Sequence, residues 1–273
     1  MAATIKDVAL RAQVSIASVS RALNGTGAVT EKTRQRVLRA ARQLRYTPHQ
    51  AARSLITRRT RTVGVLLPDI FGEYFSELIR GIDLAARERK LQLLVTSSHG
   101  DAQEAAVALA SMNGRVDGAL VMSPHVDSAL ISGALSSTFP TVLMNMPASA
   151  GNLPTFLADH YGGARAMVEH LLGLGHRRIA HITGPEGNWD SDERLRGYRA
   201  ALGREAAAQS LVYPGQFSED SGYLAGQLIA AANPRPDAVF ASNDMMAIGC
   251  LLALNEAGLR VPDDIALAGF DDI

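Results

Sequence analysis

The sequence predicts a chain in two parts, an all-α helix-turn-helix headpiece followed by a larger α/β domain built on parallel sheets. Three observations carry that prediction. Residues 1–61 hold 13 Lys and Arg against two acids, Asp7 and Glu31, a net charge of +11, while the remaining residues carry −11 and the chain as a whole is neutral. Within the basic segment the apolar residues recur at helical spacing between cap-forming residues. From Thr62 onward, strand-sized β-branched runs alternate with helical segments, the pattern of parallel strands joined by crossover helices.

The headpiece elements follow from their caps. Thr4-Ile5-Lys6-Asp7 is a capping-box-like start for a helix whose inward face is Ile5, Val8, Ala9 and Ala12. The turn Gln13-Val14-Ser15 leads to an N-cap at Ser15; Val19, Ala22 and Leu23 then face inward, and Gly25 supplies the stop. Thr30 caps a third helix with Val37, Leu38, Ala41 and Leu44 inward, ending before Tyr46-Thr47-Pro48. Two short helices across a tight turn, closed by a third, are the arrangement in which the second helix enters the major groove of DNA. Its outward residues are Ile16 and Ala17, with Ser18 and Ser20 beside them and Arg21 one turn on. Arg21 can fork onto a guanine edge, with a phosphate contact as the alternative, and Ile16 and Ala17 offer apolar contact to thymine methyls. A solvated basic tail would share the charge but not the capped periodicity.

In the α/β part, strands are expected at 62–67, 91–96, 118–122, 141–145, 155–158, 178–183, 238–241 and 265–268, with helices between them. No low-complexity segment or short-period repeat interrupts the pattern. Two doubly wound lobes with a ligand cleft between them fit it, because ligands of such sheets sit beyond the carboxyl ends of the strands.

Bulk properties narrow the function classes. The 273 residues suit about two domains, and a 47% hydrophobic, 20% charged composition is ordinary for a soluble globular protein. No apolar stretch reaches membrane-spanning length and the start lacks a secretory signal, so a cytoplasmic location is expected. Cys250, the single cysteine, lies in an apolar helical pattern and is expected to be core, in a reducing compartment. There is no GxxxxGK, HExxH, GxSxG or CxxC, and Gly25-Thr26-Gly27 follows a helix rather than a strand, so no enzyme, cofactor or metal is expected. A transport-type binding protein would use the second domain, but the basic headpiece and the missing signal argue against it.

Several motifs together resemble the lactose-repressor (LacI/GalR) family of bacterial regulators. They are Thr4-Ile5-Lys6-Asp7-Val8-Ala9, Val14-Ser15, Val19-Ser20-Arg21-Ala22-Leu23-Asn24, Thr33-Arg34 with Val37, Tyr46-Thr47-Pro48, and Ala52-Arg53-Ser54-Leu55. Beyond the headpiece, Gly184-Pro185, Arg194-Leu195-Arg196-Gly197-Tyr198, Ala241-Ser242-Asn243-Asp244, Val261-Pro262-Asp263-Asp264-Ile265 and Gly269-Phe270-Asp271 extend the match. The resemblance implies a sensing domain folded like periplasmic sugar-binding proteins. It implies a headpiece over 1–48, a hinge helix and linker over 49–61, and lobes over 62–158 and 159–273.

It further implies a repressor that binds a pseudopalindromic double-stranded operator as a homodimer under the control of a small-molecule effector, a sugar or a nucleobase. The implied DNA surface is Thr4, Ser15, Ile16, Ala17, Ser20, Arg21, Asn24, Ala52 and Leu55, with Leu55 wedging into the minor groove. His49 departs from the asparagine usual after the proline. The implied effector lining is Tyr74, Phe75, Asn145, Asp159, Trp189, Arg194, Phe217 and Asp244. Asp244 can instead cap a helix, and Trp189, in the polar loop Asn188-Trp189-Asp190-Ser191, can serve as ligand platform or packed lid. Relatives are expected to continue beyond Ile273, leaving the match incomplete at its C-terminus.

Overall fold

The computed structural model describes residues 3–25, 27, 29–47, 59–124, 131, 133, 138–146, 153–203 and 210–273. The chain divides into two compact units, Met1–Thr60 and Arg61–Ile273. The first contains α1 (Ile5–Ala12), α2 (Ile16–Asn24) and α3 (Glu31–Gln43).

Caps set these helix ends. The Asp7 carboxylate accepts from the Thr4 backbone N–H at 2.8 Å while Thr4 Oγ1 accepts from Asp7 N, the reciprocal box the sequence predicts. Ser15 Oγ accepts from Ser18 N at 3.2 Å, and Gly25 closes α2 at φ +67°. Arg36 on α3 donates to the carbonyls of Ala12 and Gln13 at 2.8 and 3.1 Å, so a guanidinium neutralises the negative end of α1 and pins the turn. The core is Val8, Ala9, Ala12, Val19, Ala22, Val37, Ala40 and Ala41. Leu38 was expected there and is only half-buried, outside the cluster; Ala40 takes its place. Val37, Ala40, Ala41 and Leu44 stand at i, i+3, i+4 and i+7 on one face, and Leu38 is rotated off it by about 100°.

The second unit holds two all-parallel sheets. In the first, β1 (Thr62–Leu67), β2 (Gln92–Ser97), β3 (Gly118–Val121), β4 (Thr141–Met144) and β5 (Thr155–Phe156) lie in the order β2-β1-β3-β4-β5. Alternate residues serve opposite faces. Val65, Leu67, Met122 and Met144 pack with Leu78 and Ile82 of α4 (Glu73–Glu88), whereas Leu66, Val121 and Leu143 pack with Leu109 and Met112 of α5 (Ala102–Met112).

In the second sheet, β6 (Ile179–Ile182), β7 (Leu211–Tyr213), β8 (Ala238–Ala241) and β9 (Ala266–Ala268) run in the order β7-β6-β8-β9. Helices α6 (His160–Gly173) and α7 (Trp189–Leu202) cover Ile179, Ala238 and Phe240, and α8 (Glu219–Ala231) and α9 (Asp244–Glu256) cover Ala180, Ile182, Val239 and Ala241.

Eight strands lie where the sequence places them, several shortened or shifted by one or two residues. β7 was not expected, because the three-residue run Leu211-Val212-Tyr213 is shorter than any strand pattern readable by alternation. The hinge residues His49, Ala52 and Leu55 lie outside the described residues. Cys250 is buried, as its apolar setting implies. Among the described residues no helix is long and apolar enough to cross a membrane.

The contact of α8 with α9 depends on glycine. A Cβ on Gly249 would overlap the carbonyl oxygen of Glu219, and one on Gly222 would overlap the backbone of Met246. Gly249→Ala is therefore expected to cost about 2 kcal/mol or more of the stability of this lobe, since rigid backbone cannot yield as a side chain would. Thermal and urea unfolding check it: a variant as stable as the parent sinks the close-approach argument.

Candidate functional site

Two surfaces carry chemistry. On the headpiece, Ile16, Ala17 and Arg21 are exposed on α2. Ser20 and Asn24 are half-buried, with Asn24 Nδ2 donating to Ser20 Oγ at 3.2 Å. Thr4 and Ser15 are exposed, and each side chain also caps its helix. Among the described residues of the expected surface, Ile16, Ala17 and Arg21 thus present exposed side chains that do not cap a helix.

In the second unit a cavity of about 510 Å³ opens between the lobes at the carboxyl ends of the strands. This is the place a parallel sheet offers, because strand ends there open into loops and helix N-termini. The first lobe lines it with Phe71, Tyr74, Phe75 and Met122, the second with Asn188, Asp190, Arg194, Phe217, Asn243 and Asp271.

Arg194 organises the second lobe's wall. Its side chain is only 5% exposed. One Nη1 donates to the carbonyl of Ser242 at the end of β8; Nε and Nη2 lie 3.3 and 3.2 Å from His160 Nδ1; and Nη2 reaches Asp271 Oδ1 at 3.3 Å. The guanidinium lies 4.0 Å from the Phe270 ring centre and 5.7 Å from that of Phe217. Because His160 Nδ1 accepts, the ring proton sits on Nε2, which lies 3.0 Å from Asp190 Oδ1 but off the line a hydrogen bond needs. His160 Nε2 and Asp190 Oδ1 are both buried with no hydrogen-bond partner among the described residues.

Behind this wall lies a second buried imidazole. His181 on β6 is stacked between the rings of Tyr198 and Phe240, at 4.9 and 5.0 Å. Its Nδ1–H donates to the Phe240 carbonyl at 2.9 Å, leaving Nε2 to accept from Ser242 Oγ at 3.3 Å. Burial pushes His181 down to about 4, so it is neutral at ordinary pH.

Three groups of the cavity wall, Asp271, Arg194 and Tyr74, are tilted toward neutrality. Burial raises Asp271 to about 6 despite the opposing pull of Arg194, and the same desolvation lowers Arg194, so burial outweighs the attraction within this pair. Burial, followed by the charges of Asp190 and Asp271, raises Tyr74 to about 12, which keeps its phenol a hydrogen-bond donor.

Of the expected lining residues, the fold brings Tyr74, Phe75, Arg194 and Phe217 to the cavity. The other four lie off its lining. Asn145 is buried behind Tyr74, donating to its hydroxyl at 3.3 Å and accepting from Ala158 N at 3.1 Å, which makes it a positioning residue. Asp159 is exposed and caps α6 by accepting from Gly162 N at 2.8 Å. Trp189 is half-buried in the first turn of α7 rather than in a loop, and its neighbours Asn188 and Asp190 face the cavity instead.

Asp244 does not cap α9 either. Asn243 does, accepting from Met246 N at 3.0 Å, while Asp244 Oδ2 accepts from Ile273 N at 3.0 Å. His160, Asp190 and Asp271 were missed as site residues. Asp271 stood in a quoted motif, but the pairing of His160 with residue 190, thirty positions on, has no sequence signal. Among the described residues no group of three or more His, Cys, Asp or Glu could hold a metal ion.

Known proteins share both parts of this arrangement. The pattern of bacterial regulatory proteins of the lacI family matches residues 4–49, and that of the periplasmic binding protein-like domain matches residues 168–273. Catabolite control protein A of Priestia megaterium is 33% identical over 276 residues, a match covering 100% of this chain and 83% of the relative. The crystal structure of the Lac repressor dimer bound to operator and the anti-inducer ONPF superposes with a TM-score of 0.89 at 27% identity, covering 100% of this chain and 83% of that one. A complex of the transcriptional regulator CelR with cellobiose superposes with a TM-score of 0.67 at 34% identity, covering 99% and 83%. With a relative one-third identical over the whole of this chain and the Lac repressor fold matched across both units, the chain belongs to the LacI family of transcriptional regulators, and is not an enzyme.

Proposed function

We propose that the chain is a cytoplasmic repressor that binds a pseudopalindromic operator as a homodimer and responds to a small-molecule effector held between its lobes. The observation that carries the reading is that one chain joins a capped, basic three-helix unit exposing Ile16, Ala17 and Arg21 to a unit with a two-lobed aromatic cavity. The second helix enters the major groove, where Arg21 forks onto a guanine and Ile16 and Ala17 meet thymine methyls. Thr4, Ser15, Ser20 and Asn24 add backbone contacts beside them. By the family resemblance, Ala52 and Leu55 are proposed to contact the minor groove.

Two-fold DNA symmetry asks for a two-fold protein. Leu224 and Leu228 on α8 and Ile248, Leu251 and Leu252 on α9 are exposed at i, i+3 and i+4 spacings, an apolar face that a second copy would cover; the Lac repressor binds its operator as a dimer. In the cavity, Tyr74, Phe75 and Phe217 stack on a ring while Asp190 and Asp271 fix its polar edge, with Arg194 holding Asp271 in place. CelR with cellobiose supports a sugar. The effector shifts the operator affinity only by the difference in its affinity for the two lobe arrangements.

Selection from a random duplex pool at fixed, near-physiological salt tests the reading. A palindrome is expected, and recovery of only sequence-indifferent, salt-sensitive binding would overturn it. Arg21→Ala should then lose about 1–3 kcal/mol of preference at one base position in each half-site; unchanged selectivity would return Arg21 to the phosphate backbone. Leu228→Asp with Leu252→Asp should give a monomer by sedimentation, and a persistent dimer would move the interface elsewhere.

Asp271 gives a pH test. A carboxyl whose folded pKa is raised binds its proton more tightly in the native state, so its contribution to stability is full below its unfolded value of 3.8 and is lost as pH rises through about 6. The stability of Asp271→Asn relative to the parent should therefore rise across that window. A flat difference would contradict the burial of this carboxyl.

A further inference from the structure

We propose that the interlobe cavity selects an uncharged, hydroxyl-rich ring compound and rejects its phosphorylated or carboxylated forms; this rests on the effector reading above. Among the described residues the lining carries the acids Asp69, Glu73, Asp190, Glu219, Asp220 and Asp271 against a single basic side chain, Arg194.

Arg194 is not available to an anion. Its Nε, Nη1 and Nη2 are turned to His160, Ser242 and Asp271, its guanidinium packs against Phe270, and its side chain is 5% exposed. A phosphate recruiting it would leave those acceptors unpaired in a buried wall.

The other usual anion seat, a helix N-terminus, is disfavoured as well. Four helices present their N-caps to the cavity. Three are capped by protein: Asn188 accepts from Ser191 N at 3.1 Å, Ser218 from Ser221 N at 3.3 Å, and Asn243 from Met246 N at 3.0 Å. The fourth, α4, starts at Gly72 with no side-chain cap. All four carry acid in the first turn: Glu73, Asp190 and Asp192, Glu219 and Asp220, and Asp244. These carboxylates take up the positive end of the dipole that a phosphate would need.

On this wall Asp190 and Asp271 line the cavity, Asp190 with its Oδ1 3.0 Å from the buried His160 Nε2. A hydroxyl donates to such a carboxylate, whereas a phosphate dianion cannot and is repelled by it.

Calorimetric titration of the full chain with matched pairs tests this: glucose and glucose 6-phosphate, ribose and ribose 5-phosphate, adenosine and its 5′-monophosphate, cytidine and its 5′-monophosphate, with inorganic phosphate alone as a further probe. In every pair that binds, the uncharged member should bind at least about tenfold more tightly, and phosphate should not raise the Tm beyond a matched ionic strength of chloride. Asp190→Asn, nearly isosteric, should weaken the uncharged member and narrow the gap. A phosphorylated member that binds as tightly as its partner, or a saturable rise in Tm with phosphate, overturns charge selection while leaving the effector reading intact. Binding of uncharged compounds that Asp190→Asn leaves unaltered overturns the role of this wall. If no member of any pair binds at millimolar concentration, the effector reading itself falls, and this inference with it.

Discussion

The sensing unit turns on one buried cation. Arg194 reaches from α7 to the carbonyl at the end of β8, to the imidazole that opens α6 and to the carboxylate of Asp271, so three segments far apart in sequence share one guanidinium. Burying a charge is costly unless its hydrogen bonds are met, and here they are met by a carbonyl, a ring nitrogen and a carboxylate, with Phe270 against the flat face. The arrangement fixes what faces the cavity. With Arg194 held inward, Asp190 and Asp271 define the polar edge, and Phe217 presents its ring. Neutral His181, locked between Tyr198 and Phe240, orients Ser242, whose carbonyl receives the guanidinium.

The facing wall is built by a milder device. Asn145 sits at φ +47°, a conformation asparagine tolerates better than most residues, and this turns its amide toward both the Tyr74 hydroxyl and the Ala158 amide. One lobe thus presents a phenol held by an amide and the other a carboxylate held near a guanidinium. That asymmetry of donors and acceptors is what a polyhydroxylated ring satisfies, and it gives the two lobes different contacts to the same ligand. A difference of this kind is the physical requirement for a ligand to bias lobe arrangement.

The headpiece solves a smaller problem with local means. Its core is mostly alanine and valine, too small to dominate stability, so caps and the clamp of Arg36 on the end of α1 matter more than they would in a large domain. Using side chains at Thr4 and Ser15 as caps leaves Ile16, Ala17 and Arg21 free to face outward.

Much of this was legible in the residues. The capping box at Thr4 and Asp7, the stop at Gly25, eight of the nine strands among the described residues and the placing of Tyr74, Phe75, Arg194 and Phe217 at the cavity all follow from local signals or matched motifs, because caps and alternation act over a few residues. The misplacement of Leu38 was a one-position error of helical phase that the 3.6-residue period corrects. Asp159, Asn145, Asp244 and Trp189 were chemically plausible lining residues, and nothing local separates a carboxylate that caps a helix from one that faces a ligand. By itself, the sequence determined the two-part fold, its basic headpiece and its family. Only the tertiary structure decided which acids meet Arg194 and which polar atoms in the wall stay unpaired, because side chains dozens of residues apart become neighbours only when parallel strands bring their carboxyl ends together.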